Sequence, residues 1–515
     1  MPEQVRHEQD TILLPQETVD VIDMASESGL RVYRQSLVYL LAWAAFELFP
    51  HDRLHIQYSL GHAYYCEFKE GKTLTEVEVK ALEAKMRELA AGDFTINAEY
   101  FTKEQAIEYL TRYGREDTIE LLAYLPWNRV RLYRTDRYAD FSSHILVSRT
   151  GLLQVFALEK YNGGLLLRFP AADDPATVAP KYRLPKLAQV WQDSEEWADI
   201  LEVSNLSSLL RMCQTDAKDV NTLIHVGEAL QEKKIARIAD AIYSQRDKIK
   251  LILIAGPSSS GKTTFGERLS IQLRVLGLRP ISLSTDDYFV DREHTPKDEN
   301  GEYDFEALEA VDISLFNQHI QEIIKGETVA CPIFNFERGC RDDVVKEVFS
   351  EKEHPIIIEG IHALNEKLTA SIPRENKYKI YISALAMISI DDHNRIHTTD
   401  TRLIRRIVRD SQFRNQKAIH TLKRWPSVRR GEEKNIFPFQ EDADIMFNSA
   451  LIYELSILKK YAYPLLAAIS PAESEYADAR RLLELLDYVP DFSDQYVPLN
   501  SILREFIGGS SIHGK

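Results

Sequence analysis

The chain has 515 residues, 44% hydrophobic and 28% charged, with a formal net charge of −16. That length predicts about two to four domains, and the acidic balance excludes a chain drawn globally to nucleic acid or to anionic membrane, while a local basic site stays open. The cysteines Cys66, Cys213, Cys331 and Cys340 form neither a C-x-x-C pair nor a zinc spacing, which points to a reduced, cytoplasmic setting. The first residues carry no apolar core like that of a signal peptide. The longest apolar run, residues 37–49, is interrupted by Glu47 and is too short to span a bilayer, so no membrane partner is expected.

Taken in order, residues 1–28 are mixed and polar, with a strand predicted around 11–14. Residues 31–49 read as a strongly apolar helix ended by Pro50 and the His51-Asp52 pair. Residues 54–68 alternate enough to predict strands with a turn at Gly61-His62. An amphipathic helix over 75–91 stops at Gly92-Asp93, a strand is expected over 94–100, and Thr102 opens a helix ending near Gly114. Residues 121–167 read as several short strands with a turn at 161–164, residues 173–185 as loop, and residues 187–213 as mostly helix. Strands and helices mix here without βαβ alternation, which predicts an α+β first half, residues 1–215.

Within it, RVYRQSLVYLLAWAAFELFP, GHAYYCEF and TLTEVEVKALEAKMRELAAGDFTINAEYFTKEQAIEYLTRYG follow one another over about 130 residues. Their order and spacing resemble the second N-terminal domain of threonyl-tRNA synthetases, which is shared with alanyl-type editing domains. In that family two histidines four apart on the first helix, and a later one, form a catalytic or metal-like cluster. Gln35 and Tyr39 stand at the helix positions here, and His144 is the histidine that survives. The resemblance therefore implies the editing-like fold without its hydrolytic chemistry.

Residues 216–248 read as a helical connector. From 249 the pattern changes to strands, predicted over 251–255, 280–284, 355–358 and 378–382, alternating with helices over 264–273, 305–325, 399–409 and 449–461. That alternation predicts an α/β domain over 249–500, a parallel sheet flanked by helices. Residues 501–515 are expected to be a flexible tail.

The strongest signal is LILIAGPSSSGKTTFGER, residues 251–268. Gly256, Pro257, Ser258, Ser259, Ser260, Gly261, Lys262 and Thr263 fit G-x-x-x-x-G-K-[ST] between an apolar strand and a helix opening at Thr264, the context that makes this string a phosphate loop. Successive backbone N–H groups form an anion concavity, and the helix adds the positive end of its dipole. Lys262 supplies a mobile charge for β/γ-phosphates and Thr263 a hydroxyl for Mg²⁺. ATP and Mg²⁺ are the expected cofactors.

Three further stretches narrow the chemistry. LSTDDYF sets Asp286 beside Asp287, and phosphorylation of a hydroxyl needs one carboxylate near the γ-phosphate. Spacing alone does not choose between the two acids. IIIEG ends an apolar strand on Glu359, the form of a strand whose acid holds Mg²⁺. DTRLIRRIVRD puts Arg402, Arg405, Arg406 and Arg409 on broad helix faces, followed by Arg414. Such a cluster is either a lid that stabilises a transferring phosphoryl group or a solvated face paired with Asp400 and Asp410.

GPSSSGKTT, LSTDDYF, GEYDFEALEAVD, CPIFNFERGCR, IIIEG and DTRLIRRIVRD, in that order within residues 250–467, resemble the uridine kinase and phosphoribulokinase family of P-loop phosphotransferases. The resemblance implies a catalytic set of Asp286 as base, Lys262, and Arg406, Arg409 and Arg414 at the phosphates. It implies a metal site at Thr263 and Glu359. Phe305 and Glu306 match the ribose-holding segment, and Phe334 and Phe336 form an aromatic wall. Where uridine-cytidine kinases carry a Tyr and a His that read the pyrimidine, this chain has Phe334 and Gly339, so another nucleoside or hydroxyl compound is an equally open acceptor. A synthetase-like domain fused to a uridine-kinase-like one resembles long bacterial nucleoside kinase proteins. The expectation is transfer of the ATP γ-phosphate to a hydroxyl of a nucleoside-like molecule; related kinases are often homo-oligomers, and the sequence leaves the oligomeric state open. The alternative is an ATP-controlled regulatory protein that binds tRNA or other RNA.

Overall fold

The computed structural model describes residues 23–512 apart from 70, 216, 298–300, 302, 336, 337, 352 and 353. The strand expected around 11–14 lies outside them. The chain divides into two compact units. The first runs to Leu184 and adds Val203–Gln214 and Ile388–Ile396; the second holds Pro185–Glu202, Thr215–Met387 and the chain from His397. Among the described residues no helix is long and apolar enough to cross a membrane.

In the first unit, helix α1 (Glu27–Leu48) opens where the Ser26 side chain accepts the Gly29 N–H at 3.0 Å. Leu37, Leu40, Leu41, Trp43 and Ala44 are fully buried, which is why this stretch is apolar all round. Strands β1 (Leu54–Ser59) and β2 (Ala63–Phe68) pair antiparallel across the turn at Gly61. Thr75 and Glu78 close a capping box on α2 (Glu76–Ala91). Strand β3 (Asn97–Thr102) starts later than expected, and a second capping box, Thr102 with Gln105, opens α3 (Lys103–Arg112). Residues from 121 were expected in strands, yet α4 (Glu116–Tyr124) is helical and buries Thr118, Leu121 and Leu122. Its apolar run is too short to show a period. Strands β4 (Arg129–Arg134), β5 (Ala139–Phe141), β6 (Ala157–Tyr161) and β7 (Gly164–Arg168) complete two antiparallel sheets, ordered β1-β2-β7-β6 and β3-β4-β5. Ile388–Ile396 belongs to this unit. The Ile56 N–H donates to the Asp392 carbonyl at 2.8 Å and Arg395 Nε to the Gln57 carbonyl at 2.7 Å.

The second unit takes α5 (Pro185–Ile200), while α6 (Leu206–Thr215) begins in the first. Helix α7 (Ala217–Tyr243), expected as a connector, buries Ile235, Ile238, Ala239 and Ile242 in the second unit. Five parallel strands follow in sequence: β8 (Leu251–Ala255), β9 (Ile281–Ser284), β14 (Ile356–Glu359), β15 (Lys377–Ser383) and β16 (Ile445–Asn448), in the spatial order β16-β15-β8-β14-β9. The numbers between belong to two hairpin pairs, β10 (Val329–Cys331) with β13 (Lys346–Val348) and β11 (Phe334–Asn335) with β12 (Cys340–Arg341). Helix α8 (Lys262–Val275) follows β8. The helix expected from 305 begins only at α9 (Ile313–Lys325), because the Asp312 side chain caps it. Helices α10 (Thr398–Arg414), α11 (Ala418–Asn435), α12 (Glu454–Ala467) and α13 (Tyr476–Asp487) complete the layers. The expected tail does not hold for residues 501–507, which end in the short α14 (Arg504–Ile507). Ile502, Leu503 and Phe506 there are fully buried.

Candidate active site

Three neighbouring strands deliver their carboxyl ends to one place. β8 runs into the glycine-rich loop, β9 ends just before Asp286, and β14 ends on Glu359, which is in register with Ile254 and Ser284. Open α/β sheets bind ligands at such edges. A side chain at Gly256 would strike the Ile382 carbonyl of β15. Gly261 is left-handed, φ +83°, and α8 starts there with no side-chain cap. Lys262 Nζ donates to the Gly256 and Pro257 carbonyls at 3.0 and 3.2 Å. Thr263 Oγ1 donates to Glu359 Oε1 at 3.1 Å. The Ser258 N–H donates to Glu432 Oε1 at 3.0 Å, and Arg406 Nη1 to Ser258 Oγ at 2.8 Å. Ser259 and Ser260 are buried. Thr264 meets a carboxylate from far along the chain, with Glu505 Oε2 accepting from its hydroxyl at 2.7 Å and its N–H at 3.2 Å.

Asp286, Glu306 and Glu359 face this loop, and none of them is ion-paired among the described residues. Burial raises all three. Asp286 rises against the pull of Lys262, Arg414 and Arg409. Glu359 is pushed up to about 7 by burial and then by Asp286, and Lys262 eases it. Glu306 is pushed up to about 7 by burial, which Arg406 opposes and Glu432 reinforces. Asp287 points elsewhere, its Oδ1 accepting the Phe334 N–H at 3.4 Å. The geometry thus separates two acids that spacing left equivalent.

Thr263 and Glu359 offer two hard oxygen donors beside the phosphate loop. A desolvated carboxylate with no counter-cation is what a divalent ion relieves, and two protein oxygens suit Mg²⁺, which keeps waters and takes phosphate oxygens. Among the described residues no group of three His, Cys, Asp or Glu forms a cage for a metal.

The α10 arginines divide by face. Arg402 and Arg405 point inward: Arg402 chelates Glu432 at 2.6 and 3.0 Å, and Arg405 pairs with Glu454 and donates to the Ser449 carbonyl at 3.0 Å. Arg406, Arg409 and Arg414 gather instead around the single carboxylate of Asp410, at 3.4, 2.9 and 3.7 Å. Three guanidiniums on one acid leave an excess of positive charge. Arg414 is pushed down to about 10, first by Arg409 and then by burial.

On the acceptor side, Phe305 packs beside Tyr303 with ring centres 6.0 Å apart. Asn435 Nδ2 donates to the Glu306 carbonyl at 2.8 Å, and a side chain at Gly431 would strike that of Glu306. Phe334 meets Phe289 edge to face at 5.7 Å, whereas Phe336 lies outside the described residues. A Cβ on Gly339 would stand 2.7 Å from the Arg292 guanidinium.

Sequence reasoning points to the stretch 424–449 as elaborated, with charged residues for the acceptor site, but singles out neither Gly431 nor Glu432 in it, and it misses Arg292 and Glu505. Glu432 and Glu433 adjoin in RRGEEKN, and no spacing rule says that the first is buried and the second exposed. Glu505 is 241 residues from its partner. In the first unit, Tyr39 donates to the Tyr133 and Tyr138 carbonyls at 3.3 Å, and Gln35 Nε2 to Asn394 Oδ1 at 3.3 Å. Those two positions serve packing. His144 joins the turn whose carbonyl accepts from Ser142 Oγ at 3.0 Å.

Residues 251–455 match the model of the Phosphoribulokinase / Uridine kinase family, so the chain carries a domain of that family in its C-terminal half. The N-terminal region matches threonine–tRNA ligases: 33% identity over 144 residues with that of Bordetella petrii and 29% over 146 residues with that of Alkalilimnicola ehrlichii, each match covering 28% of this chain. The chain spans only 22 to 23% of the length of these ligases. Two solved structures are similar. One, provisionally named a fructose transport system kinase, from Silicibacter sp. TM1040, has 17% identity and a TM-score of 0.30 over 41% of this chain and 98% of its own. The other, provisionally named a uridine kinase, from Bacillus stearothermophilus, has 18% identity and a TM-score of 0.26 over 39% and 89%.

Proposed function

We propose that this protein is an ATP- and Mg²⁺-dependent kinase that transfers a γ-phosphate to a hydroxyl of a small, nucleoside-like acceptor. The observation that carries the proposal is Asp286. It stands half-buried at the carboxyl edge of the sheet, it faces Lys262, Arg409 and Arg414, and no ion pair neutralises it among the described residues. A carboxylate with a raised pKa in that position is suited to take the proton of an attacking hydroxyl. Loop amides and Lys262 hold the phosphates. Arg406, Arg409 and Arg414 balance charge on the group in transit. When bound at Thr263 and Glu359, Mg²⁺ supplies electrostatic stabilisation of the phosphate oxygens. Glu306 accepts hydrogen bonds from acceptor hydroxyls, and Phe305 and Phe334 pack against its apolar face. The test is ATP consumption with Mg²⁺ against nucleosides and small hydroxyl compounds, with Lys262→Ala as control. Stimulation by one acceptor that the control abolishes supports the reading. ATP binding with no stimulating acceptor sinks it.

The likeness of the N-terminal region to threonine–tRNA ligases favours a second reading, an RNA-binding regulator for which the P-loop domain is a switch. A mobility-shift assay with tRNA at physiological salt decides it, since absence of a shift removes it.

A further inference from the structure

The C-terminal segment lies against the phosphate loop and the first turn of α8. Glu505 places one carboxylate oxygen on both the N–H and the hydroxyl of Thr264, in the first turn of α8. Those are the donors a P-loop offers to nucleotide phosphate. Ile502 lies against the loop itself, its Cγ2 2.6 Å from where a Cβ would sit on Gly261. Phe506 packs under the Arg405 guanidinium at 5.0 Å, and Arg405 Nη1 donates to the Ser259 carbonyl of the same loop at 3.4 Å.

The segment is held in this pose and is followed by two glycines. Arg504 Nη2 ties it down through the Asp494 and Val497 carbonyls at 2.9 and 2.6 Å. Ser501, Ile502, Leu503 and Phe506 are buried, whereas Glu505 is only partly covered. Gly508 and Gly509, at φ +90° and +72°, follow directly, and glycine is the residue that lets a backbone change direction at little cost. The segment also lies beyond residues 251–455, where the family match ends.

We infer that the Ser501–Ile507 segment is an internal competitor of nucleotide, with the Glu505 carboxylate standing where a phosphate of the nucleoside triphosphate binds. A carboxylate and a phosphate cannot share the two Thr264 donors, and their like charges repel. Nucleotide binding therefore displaces Glu505 and loosens the segment, and any event that draws the C-terminus away opens the site. The inference rests on the reading of the loop as an ATP site.

The experiment measures Mg²⁺·ATP affinity of the full chain by equilibrium dialysis for wild type, Glu505→Gln and Lys262→Ala, with hydrogen exchange of residues 501–507 followed in parallel. Gln keeps a hydrogen-bond acceptor for Thr264 and removes the charge, so the fold is retained. The expected result is ATP binding about tenfold tighter in Glu505→Gln, and in wild type faster exchange at 501–507 when ATP is added. Equal or weaker ATP binding in Glu505→Gln overturns the inference, as does slower exchange on ATP addition, which makes the segment a fixed part of the site. If neither wild type nor Glu505→Gln binds ATP, the displacement and the ATP-site reading fall together. If both bind equally and Lys262→Ala does not, the ATP site stands and the competitor alone fails.

Discussion

Two clusters of charge, one buried in the first unit and one half-buried in the second, are arranged on opposite principles. In the first unit Arg115 lies among acids that all reach it: Asp117 at 3.0 Å, Asp391 at 3.2 Å, and Asp140 in direct contact. His393 Nδ1 adds a contact to Asp140 at 2.6 Å, Lys69 pairs with Asp392, and Thr118 bridges to Asp391 at 2.9 Å. In the second unit Asp286, Glu306 and Glu359 share a site with Lys262 and three arginines, yet none of the three acids is ion-paired among the described residues. A buried charge that is matched on every side does structural work, because each partner relieves the desolvation of the other. A partly desolvated charge left unmatched is costly and is kept where a ligand completes it.

The sharpest way to break that comparison is to remove one member from each cluster. Asp286→Asn is expected to lower turnover by about 10²- to 10⁴-fold while ATP binding persists. Steady-state kinetics beside dialysis checks this, and normal turnover would falsify the role. Arg115→Ala leaves Asp117, Asp140 and Asp391 without their cation and is expected to destabilise the protein by about 3–5 kcal/mol, read from urea unfolding. A loss below about 1 kcal/mol, the scale of a surface pair, would make the first cluster ornamental.

Proton linkage gives a smaller effect. Glu306 and Glu359 are both pushed up to about 7, above their ordinary 4.5. A folded-state pKa above the unfolded one stabilises at low pH, and that stabilisation is lost as pH rises through the folded value. The nucleotide-free protein should therefore lose thermal stability between about pH 5 and 8. Mg²⁺ with ATP should restore it, and Glu359→Gln should flatten the profile. A flat wild-type curve contradicts the assignment of unmatched acids. The smallest change is Gly431→Ala, which crowds Glu306. It should raise KM for the acceptor by about tenfold or less, with KM for ATP unchanged, because overpacking at one wall costs on the order of 1–2 kcal/mol.

Much of this was legible in the residues. The strand, loop and helix around Lys262 read correctly because they are contiguous and each carries a local signal. The helix starts at Thr75 and Thr102 read correctly for the same reason. Legibility failed where the signal was short or distant. The first residues of the stretch expected as strands from 121 lie in helix α4, no strand is expected at β16, and the expected loose tail fails at residues 501–507, where Ile502, Leu503 and Phe506 are buried. The segment Ile388–Ile396 lies between β15 and α10 in sequence yet belongs to the first unit, and nothing in its composition announces that.

By itself the sequence determined the phosphate loop, the acidic ends of β9 and β14 and the basic helix α10, since each depends on neighbours a few residues away. The tertiary structure decided which acid of the Asp286–Asp287 pair faces the loop and which arginines turn inward. It also brought Glu432 and Glu505 to the loop from 174 and 241 residues away. The reason is physical: backbone periodicity and capping are local, whereas the pairing of buried charges is set by which elements the hydrophobic core brings side by side.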